Sequence, residues 1–393
     1  MSCNLGTIIG GPAVIKYKGK TFYSKGDIQL STDLDTFTID VDAFGGPVQS
    51  REANAPLTLS FVPAGEWENL SVLYPYSDPV IGDSIVAVTT CTAVDNATDV
   101  ITATKHRLRD GAPIQFAVVD GTIIPGLTAG TVYYAHVLTA NTFSVHPTEA
   151  DALANTAKVA LSALGTGDTR VIEQEPLIIH TLAGKLLTFH VAAVTQMPEF
   201  VGSAVQTPLG SVTFEIFRKN GVAPSTADSR YTVATSAFAF DATFDPAQIV
   251  TQPYQGAWGA SPWDDFSSKN GFRVAFPLSL TAIEDDACGI IGRRLSSVAA
   301  EVRAQPTNVG EADALTALKL QGSGAGRGRS LSGSDLDLSG TGVYVRVYGA
   351  SLVAAPLGFG SQIDRAGEFV WRNARTFTSG VPGPVFYVGT VAP

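Results

Sequence analysis

The sequence predicts an all-β protein with two short helices, and three observations predict it. Apolar residues recur with a period of two along most of the chain, as they do in half-buried strands. Thirty-nine glycines and 22 prolines cut these runs into short pieces, as turns between strands do. Hydrophobic residues reach 45% while charged residues stay at 16%, against roughly 25% charged in an ordinary soluble chain. The chain thus has apolar mass for real cores and too little charge for a surface wholly in water, so part of that surface is expected to be covered by other subunits. The same composition excludes disorder. The 393 residues are too many for one ordinary domain.

The elements follow in order. Residues 27–42, DIQLSTDLDTFTIDVD, place Ile28, Leu30, Phe37, Ile39 and Val41 on one side and Asp40 and Asp42 on the other, which reads as a strand pair. Residues 56–62, PLTLSFV, alternate in the same way. Residues 64–74, AGEWENLSVLY, follow Pro63 and precede Pro75. Their apolar groups gather mainly on one side, and Glu66 and Glu68 fall where a helix N-terminus favours anions. Further strands are expected at 186–194, 211–217, 238–244 and 343–349. A second helix is expected at 309–320, with Asn308 as its N-cap and Gly322 past its end.

The chain repeats itself. Asp42-Ala43-Phe44-Gly45 resembles Asp286-Ala287-Cys288-Gly289, 244 positions on. Each is followed by a polar, arginine-bearing loop, an alternating strand, a proline (Pro63, Pro306) and a helix. Downstream, residues 186–203 resemble 344–361 at an offset of 158. The difference is extra length in the first copy, at about 88–173, with strands and a Tyr/Phe core of its own. The expected organisation is a first β-sandwich domain at 1–87 plus 174–235, an inserted small β-domain at 88–173, and a second β-sandwich domain at 236–393. Insertions are best tolerated at loop tips.

Residues 10–67, GGPAVIKYKGKTFYSKGDIQLSTDLDTFTIDVDAFGGPVQSREANAPLTLSFVPAGEW, resemble the major tail tube proteins of long-tailed bacteriophages. The resemblance lies in a strand opening on a hairpin at Lys25-Gly26-Asp27, the alternating strand to Asp42, the long polar loop, the returning strand and the PAGEW helix start. The insert resembles a small module common in phage virion proteins, through His106-x-Leu108-x-Asp110-Gly111, Pro125-Gly126-Leu127-x-Ala129-Gly130-Thr131-x-Tyr133-Tyr134, Asn141-Thr142-Phe143 and Gly165-Thr166-Gly167. The resemblance implies a sandwich flanked by a helix, six domains to a ring, and rings stacked into a hollow tube. Duplicated domains imply a homotrimer with pseudo-sixfold rings. It further implies partners among the other tail proteins (tape measure, terminator, tail tip), transient passage of double-stranded DNA, and localisation in the virion after assembly in the host cytoplasm. The long loops 44–56 and 288–297 would reach the next ring, with Gly45, Gln49, Arg51, Glu52, Arg293 and Arg294 as inter-ring candidates. The alternatives are a non-polymerising tail terminator or tail-tip ring, or a carbohydrate-binding adhesin acting through the insert.

No chemistry beyond structure is expected. The five histidines lack HExxH or CxxC neighbours, so no metal is expected. No GxSxG occurs, GSGAGRGR at 322–329 lacks the Lys-Ser/Thr of a phosphate loop, and no enzyme or cofactor is anticipated. Cys3, Cys91 and Cys288 are too far apart for a disulfide framework and read as reduced thiols. The start MSCNLGTIIGG has neither the basic flank nor the apolar core of a signal peptide, and no run approaches the ~18–20 apolar residues of a membrane helix. The net charge of −10 argues against a protein that grips nucleic acid, but suits one that lets DNA slide past a wall of carboxylates. The acidic clusters at Asp264-Asp265, Glu284-Asp285-Asp286 and Asp335-x-Asp337 read as solvated or lumen-facing charge.

Overall fold

A computed structural model describes residues 13–32, 35–41, 46–54, 56–77, 85–86, 88–118, 121–182, 184–202, 209–217, 230–237, 250–259, 263–285, 289–307, 333–340, 342–355, 368–373, 377–378 and 381–393. The fold is all-β, with the short helices Trp67–Leu70 and Glu149–Ala154 and a 3₁₀ turn at Ser71–Leu73. The expected helix at 309–320, the strand at 238–244 and the glycine-rich run 322–329 lie outside the described residues.

The first sheet holds eight strands in the spatial order Val191–Gln196, Val212–Phe217, Leu57–Ala64, Lys20–Thr32, Ala13–Tyr17, Leu177–Thr181, Lys185–Phe189, Tyr231–Thr235. All described neighbours in it are antiparallel. Leu57–Ala64 buries every second residue, the pattern its alternating sequence predicts. The first turn falls at Lys18-Gly19, where both residues have positive φ, 48° and 73°. That is the twist a tight hairpin requires. Lys25-Gly26-Asp27 is not a turn: it lies inside Lys20–Thr32 as a bulge, with Gly26 at φ 80° and the register slipping between Lys25 and Gln29. The segment 186–194 is two strands rather than one, broken at His190, whose N–H donates to the Arg230 carbonyl at 2.9 Å.

The other main sheet of the sandwich-like body comes, apart from Phe200–Val201, from the second half of the chain, and its pairing order is the same. Ala350–Ala354 pairs with Phe369–Asn373, which pairs with Glu301–Ala304, then Arg273–Ala275. On the other side Phe266–Ser267 pairs with Gln255–Trp258, then Ser334–Gly340, then residues 343–347, then Phe386–Gly389. Each of these strands stands where its counterpart, about 244 or about 158 positions earlier, stands in the first sheet, with slips of up to three residues. Val343–Ala354 is one long strand doing the work of Lys185–Phe189 and Val191–Gln196 together. Gly349 has φ 59°, and on either side of it the strand changes partners: residues 343–347 pair with Phe386–Gly389, residues 350–354 with Phe369–Asn373.

Both halves share one continuous core, from Phe22, Phe61 and Phe214 to Phe266, Phe369 and Trp371. In the second half Trp258, Trp263, Phe266 and Trp371 pack with ring centroids 5.3–6.1 Å apart, and the Trp258 indole N–H donates to the Ala350 carbonyl at 2.8 Å. Trp67 and Tyr74, at either end of the first helical segment, pack together on the same core at 5.4 Å. The seven-stranded sheet between Val88 and Glu173 has a separate core around Ile101, Ile114, Phe116, Phe143 and Val171.

Candidate assembly surfaces and the insert junction

The segments expected to be long loops are mostly strand. Gly46–Asn54 pairs with Asp35–Val41, and Gly289–Val298 pairs with Leu278–Asp285, giving two antiparallel hairpins separate from the main sheets. Their registers slip at matching places: between Asp35/Thr36 and Ile39/Asp40 in one, between Ser279/Leu280 and Ile283/Glu284 in the other. Both pairs are 244 positions apart, so the repeat extends to the bulges. The physical reason for the correction is pairing: a polar segment of nine or ten residues satisfies its backbone along a partner strand more readily than as an open loop.

The candidate residues divide accordingly. Gly45 lies outside the described residues. Gln49, Arg51 and Glu52 stand in the outgoing strand opposite Ile39, Phe37 and Thr36. Arg293 and Arg294 stand opposite Ala282 and Thr281. Arg293 is engaged within its own chain: its guanidinium pairs with Glu215, a buried carboxylate on Val212–Phe217, and its carbonyl accepts from Ile85 N at 2.9 Å. Arg294 is exposed. The second hairpin therefore lies over the outward face of the first half's strands, where Val191, Ala193 and Phe217 are also buried, beneath Ile85 and Val86.

The first half in turn holds the second. Phe200–Val201 adds a short strand beside Arg273–Val274, Glu199 pairs with Arg273 at 3.1 Å, and the Ser77 carbonyl accepts from Val385 N at 3.0 Å. Phe276 bridges Tyr74 and Phe386 at 5.5 and 4.3 Å.

A second polar centre, not anticipated, ties the insert to the first sandwich. The chain leaves the insert through Glu173-Gln174-Glu175, all buried. Lys18 of the first turn pairs with Glu173 at 3.3 Å. Arg109 of the insert makes two contacts to Glu175, at 2.5 and 3.3 Å, and reaches Glu149 at 3.7 Å. Burial, reinforced by Glu173, pushes the Glu175 carboxyl up to about 7 against the opposing pull of Arg109. A cleft of about 350 Å³ opens beside this cluster, between Lys16, Tyr134, Glu149, Gln174, Ile178 and His190. Each buried carboxylate here is held by a cation from the other body, which suits a latch better than an acid–base pair. Its only sequence signal is the spacing Glu-x-Glu that begins at the end of the strand Thr169–Glu173.

The signature residues of the insert build its turns. His106 is buried, edge-on to Phe143 at 5.3 Å. Its Nδ1 accepts from Leu108 N at 3.1 Å, so Nε2–H is left to donate to the Thr139 carbonyl at 3.0 Å. Burial lowers its pKa. Asp110 accepts from Val137 N, and the Tyr133 hydroxyl accepts from Thr128 N. Gly126 and Gly165 leave no room for a Cβ, which would meet the Ala160 and Thr122 carbonyls at 2.1 and 2.0 Å. His146 is likewise internal, bonded to Ser144 and the Thr156 carbonyl. Cys91 is buried and its thiol is pushed up to about 12 by desolvation; Cys3 and Cys288 lie outside the described residues. Among the described residues no group of three metal-ligating side chains converges. Of the acidic clusters, Asp264 and Asp265 are exposed, but Asp337 binds Arg346 at 2.5 and 2.9 Å and Asp335 accepts from Gly349 N, so the Asp335-x-Asp337 pair is spent on its own sheet. No protein-family model and no curated protein matches the chain.

Proposed function

We propose that this chain is a structural subunit of the tail tube of a long-tailed bacteriophage, assembling as trimeric, pseudo-hexameric rings that stack around a channel for DNA. The observation that carries the reading is the duplication: two halves with one strand order and one hairpin each, bulged at matching positions. Three such chains supply six equivalent units. A unit that joins its neighbour through two different surfaces must close a ring or extend as a filament.

Two further features support it. The hairpins pair separately from the main sheets, and the second already reaches the neighbouring unit within its own chain, through Arg293 and Glu215. The net charge of −10 gives a channel wall that repels phosphates, so that DNA passes without the salt-sensitive grip of a basic surface. Among the described residues the buried acids and histidines are occupied by cations or by backbone and hydroxyl groups, which favours a structural role.

Electron microscopy of the purified protein at rising concentration tests the reading. Stacked rings with a central channel are expected. Single rings that never stack point to a terminator or tip position instead. A monodisperse monomer throughout overturns the proposal.

A further inference from the structure

The two halves have the same strand order but not the same burial, and the differences fall on one side of each. Phe386 and Tyr231 hold the same register position, opposite Val347 and Phe189. Phe386 is 1% exposed, packed on Phe276 beneath residues 74–77 of the first half; Tyr231 is 38% exposed. Two residues on, Val388 packs against the core while its counterpart Val233 is 57% exposed. The strand Tyr231–Thr235 is exposed along its whole length. Val274 and Leu30 are also matched, opposite Val302 and Leu59. Val274 is fully buried beside the added strand Phe200–Val201, whereas Leu30 is only partly covered.

The opposite surface shows the complementary pattern. In the first half, Glu215 lies buried under the second hairpin. Its counterpart, opposite Ser351 as Glu215 is opposite Ala193, is Arg372. The Arg372 side chain is 62% exposed and, among the described residues, pairs with Glu301 of its own sheet at 2.8 Å; Val353 is 37% exposed, while Ser351, directly opposite Arg372, is as buried as its counterpart Ala193.

Inside one chain, then, the second half is covered on one surface and covers the first half with another. This is a heterologous contact between two copies of one fold. Such a contact always leaves one surface of each kind open: here, among the described residues, the first half's edge at Tyr231 and Val233, and the second half's face at Val353 and Arg372. Bare apolar edge strands are normally paired or covered. We propose that the occupant is a second copy of this chain, bound head to tail, with its second half on the Tyr231–Thr235 edge and the paired strands Asp35–Val41 and Gly46–Asn54 laid over its exposed Val353 and Arg372. The contact repeats between chains the one already made within the chain. It supplies the ring contact the tube reading needs, and rests on that reading only for the number of copies.

The test uses Val233→Glu and Val353→Glu in the full chain, with Leu153→Glu, an exposed leucine of the insert (57%), as the control; light scattering measures mass. Wild type and the control are expected to associate. Each valine variant alone is expected at the monomer mass of 41.1 kDa. Mixed one to one, they are expected to form dimers and stop there, since each retains the surface the other lacks. Association unchanged by either substitution overturns this contact while leaving rings formed through another surface possible. Variants that are monomeric alone and remain so when mixed overturn the head-to-tail geometry. A wild type that stays monomeric overturns both proposals. Dimers from the mixture, with wild-type rings that never stack, uphold the contact and defeat the tube.

Discussion

At Gly126 the insert has no space for a single methyl group. The backbone is at φ 103°, a region L-residues rarely enter, and an added Cβ would meet the Ala160 carbonyl at 2.1 Å. Strain and overlap act together, so Gly126→Ala should destabilise the insert by about 2–4 kcal/mol, read by denaturant unfolding of the full chain with Tyr133 or a neighbouring reporter as the local probe. Glu175 makes a different prediction. Its pKa of about 7 in the folded protein lies above the ~4.3 of an unfolded glutamate, so the folded state binds the extra proton. The stability this contributes is full below about pH 4 and is lost as pH rises through about 7. Wild type should therefore lose stability relative to Glu175→Gln between pH 5 and pH 8, by on the order of 2 kcal/mol. Parallel stability curves for the two proteins across that range would refute this assignment.

The hairpins carry the main lesson at the level of elements. Strand 57–64 is legible because one of its faces is apolar and the other polar, and period two follows directly. Gly46–Asn54, GPVQSREAN, has no apolar face, so its strand character rests on backbone pairing with Asp35–Val41, which periodicity does not register. Lys25-Gly26-Asp27 misleads for a related reason: Gly-Asp is turn chemistry, and a bulge uses the same positive φ as a turn. The helix Glu149–Ala154 has six residues, too few to display a 3.6 period. The ion pairs Lys18–Glu173 and Arg109–Glu175 join residues that are neighbours only in the fold, and local patterns are silent about them. The hairpin contact that does form within the chain can be tested by its ion pair. Removing Arg293 strands a buried carboxylate at Glu215. Arg293→Ala is expected to cost on the order of 3 kcal/mol, and Glu215→Gln in the same chain to recover most of it, because the cost is an unpaired buried charge rather than a lost attraction. Additive losses in thermal or denaturant unfolding would show the pair to be uncoupled.

At the scale of the whole molecule, the two sandwich halves and the insert are joined in different ways. The halves share one core and exchange a strand, a hairpin and backbone hydrogen bonds, so neither is complete without the other. The insert has its own core and enters and leaves by adjacent antiparallel strands: Val88 lies opposite Ile172 and Thr90 opposite Arg170. Neighbouring strands are ~4.8 Å apart, so cutting out residues 88–173 leaves ends that a short Gly-Ser linker can join. Excision also removes Arg109 and Glu173, the partners of Glu175 and Lys18. It uncovers those two residues at the same time, and a charge returned to water needs no partner. The open surfaces at Tyr231, Val233, Val353 and Arg372 all lie on the sandwiches. The shortened chain is therefore expected to fold with a sharp thermal transition and to associate to the same number of copies as the full chain, while the isolated 88–173 fragment folds by itself, both checked by circular dichroism and light scattering. A folded but monomeric shortened chain would place an assembly surface on the insert. A shortened chain that fails to fold would make the ion-paired junction part of the core, as structural to the first sandwich as Phe61 or Phe214.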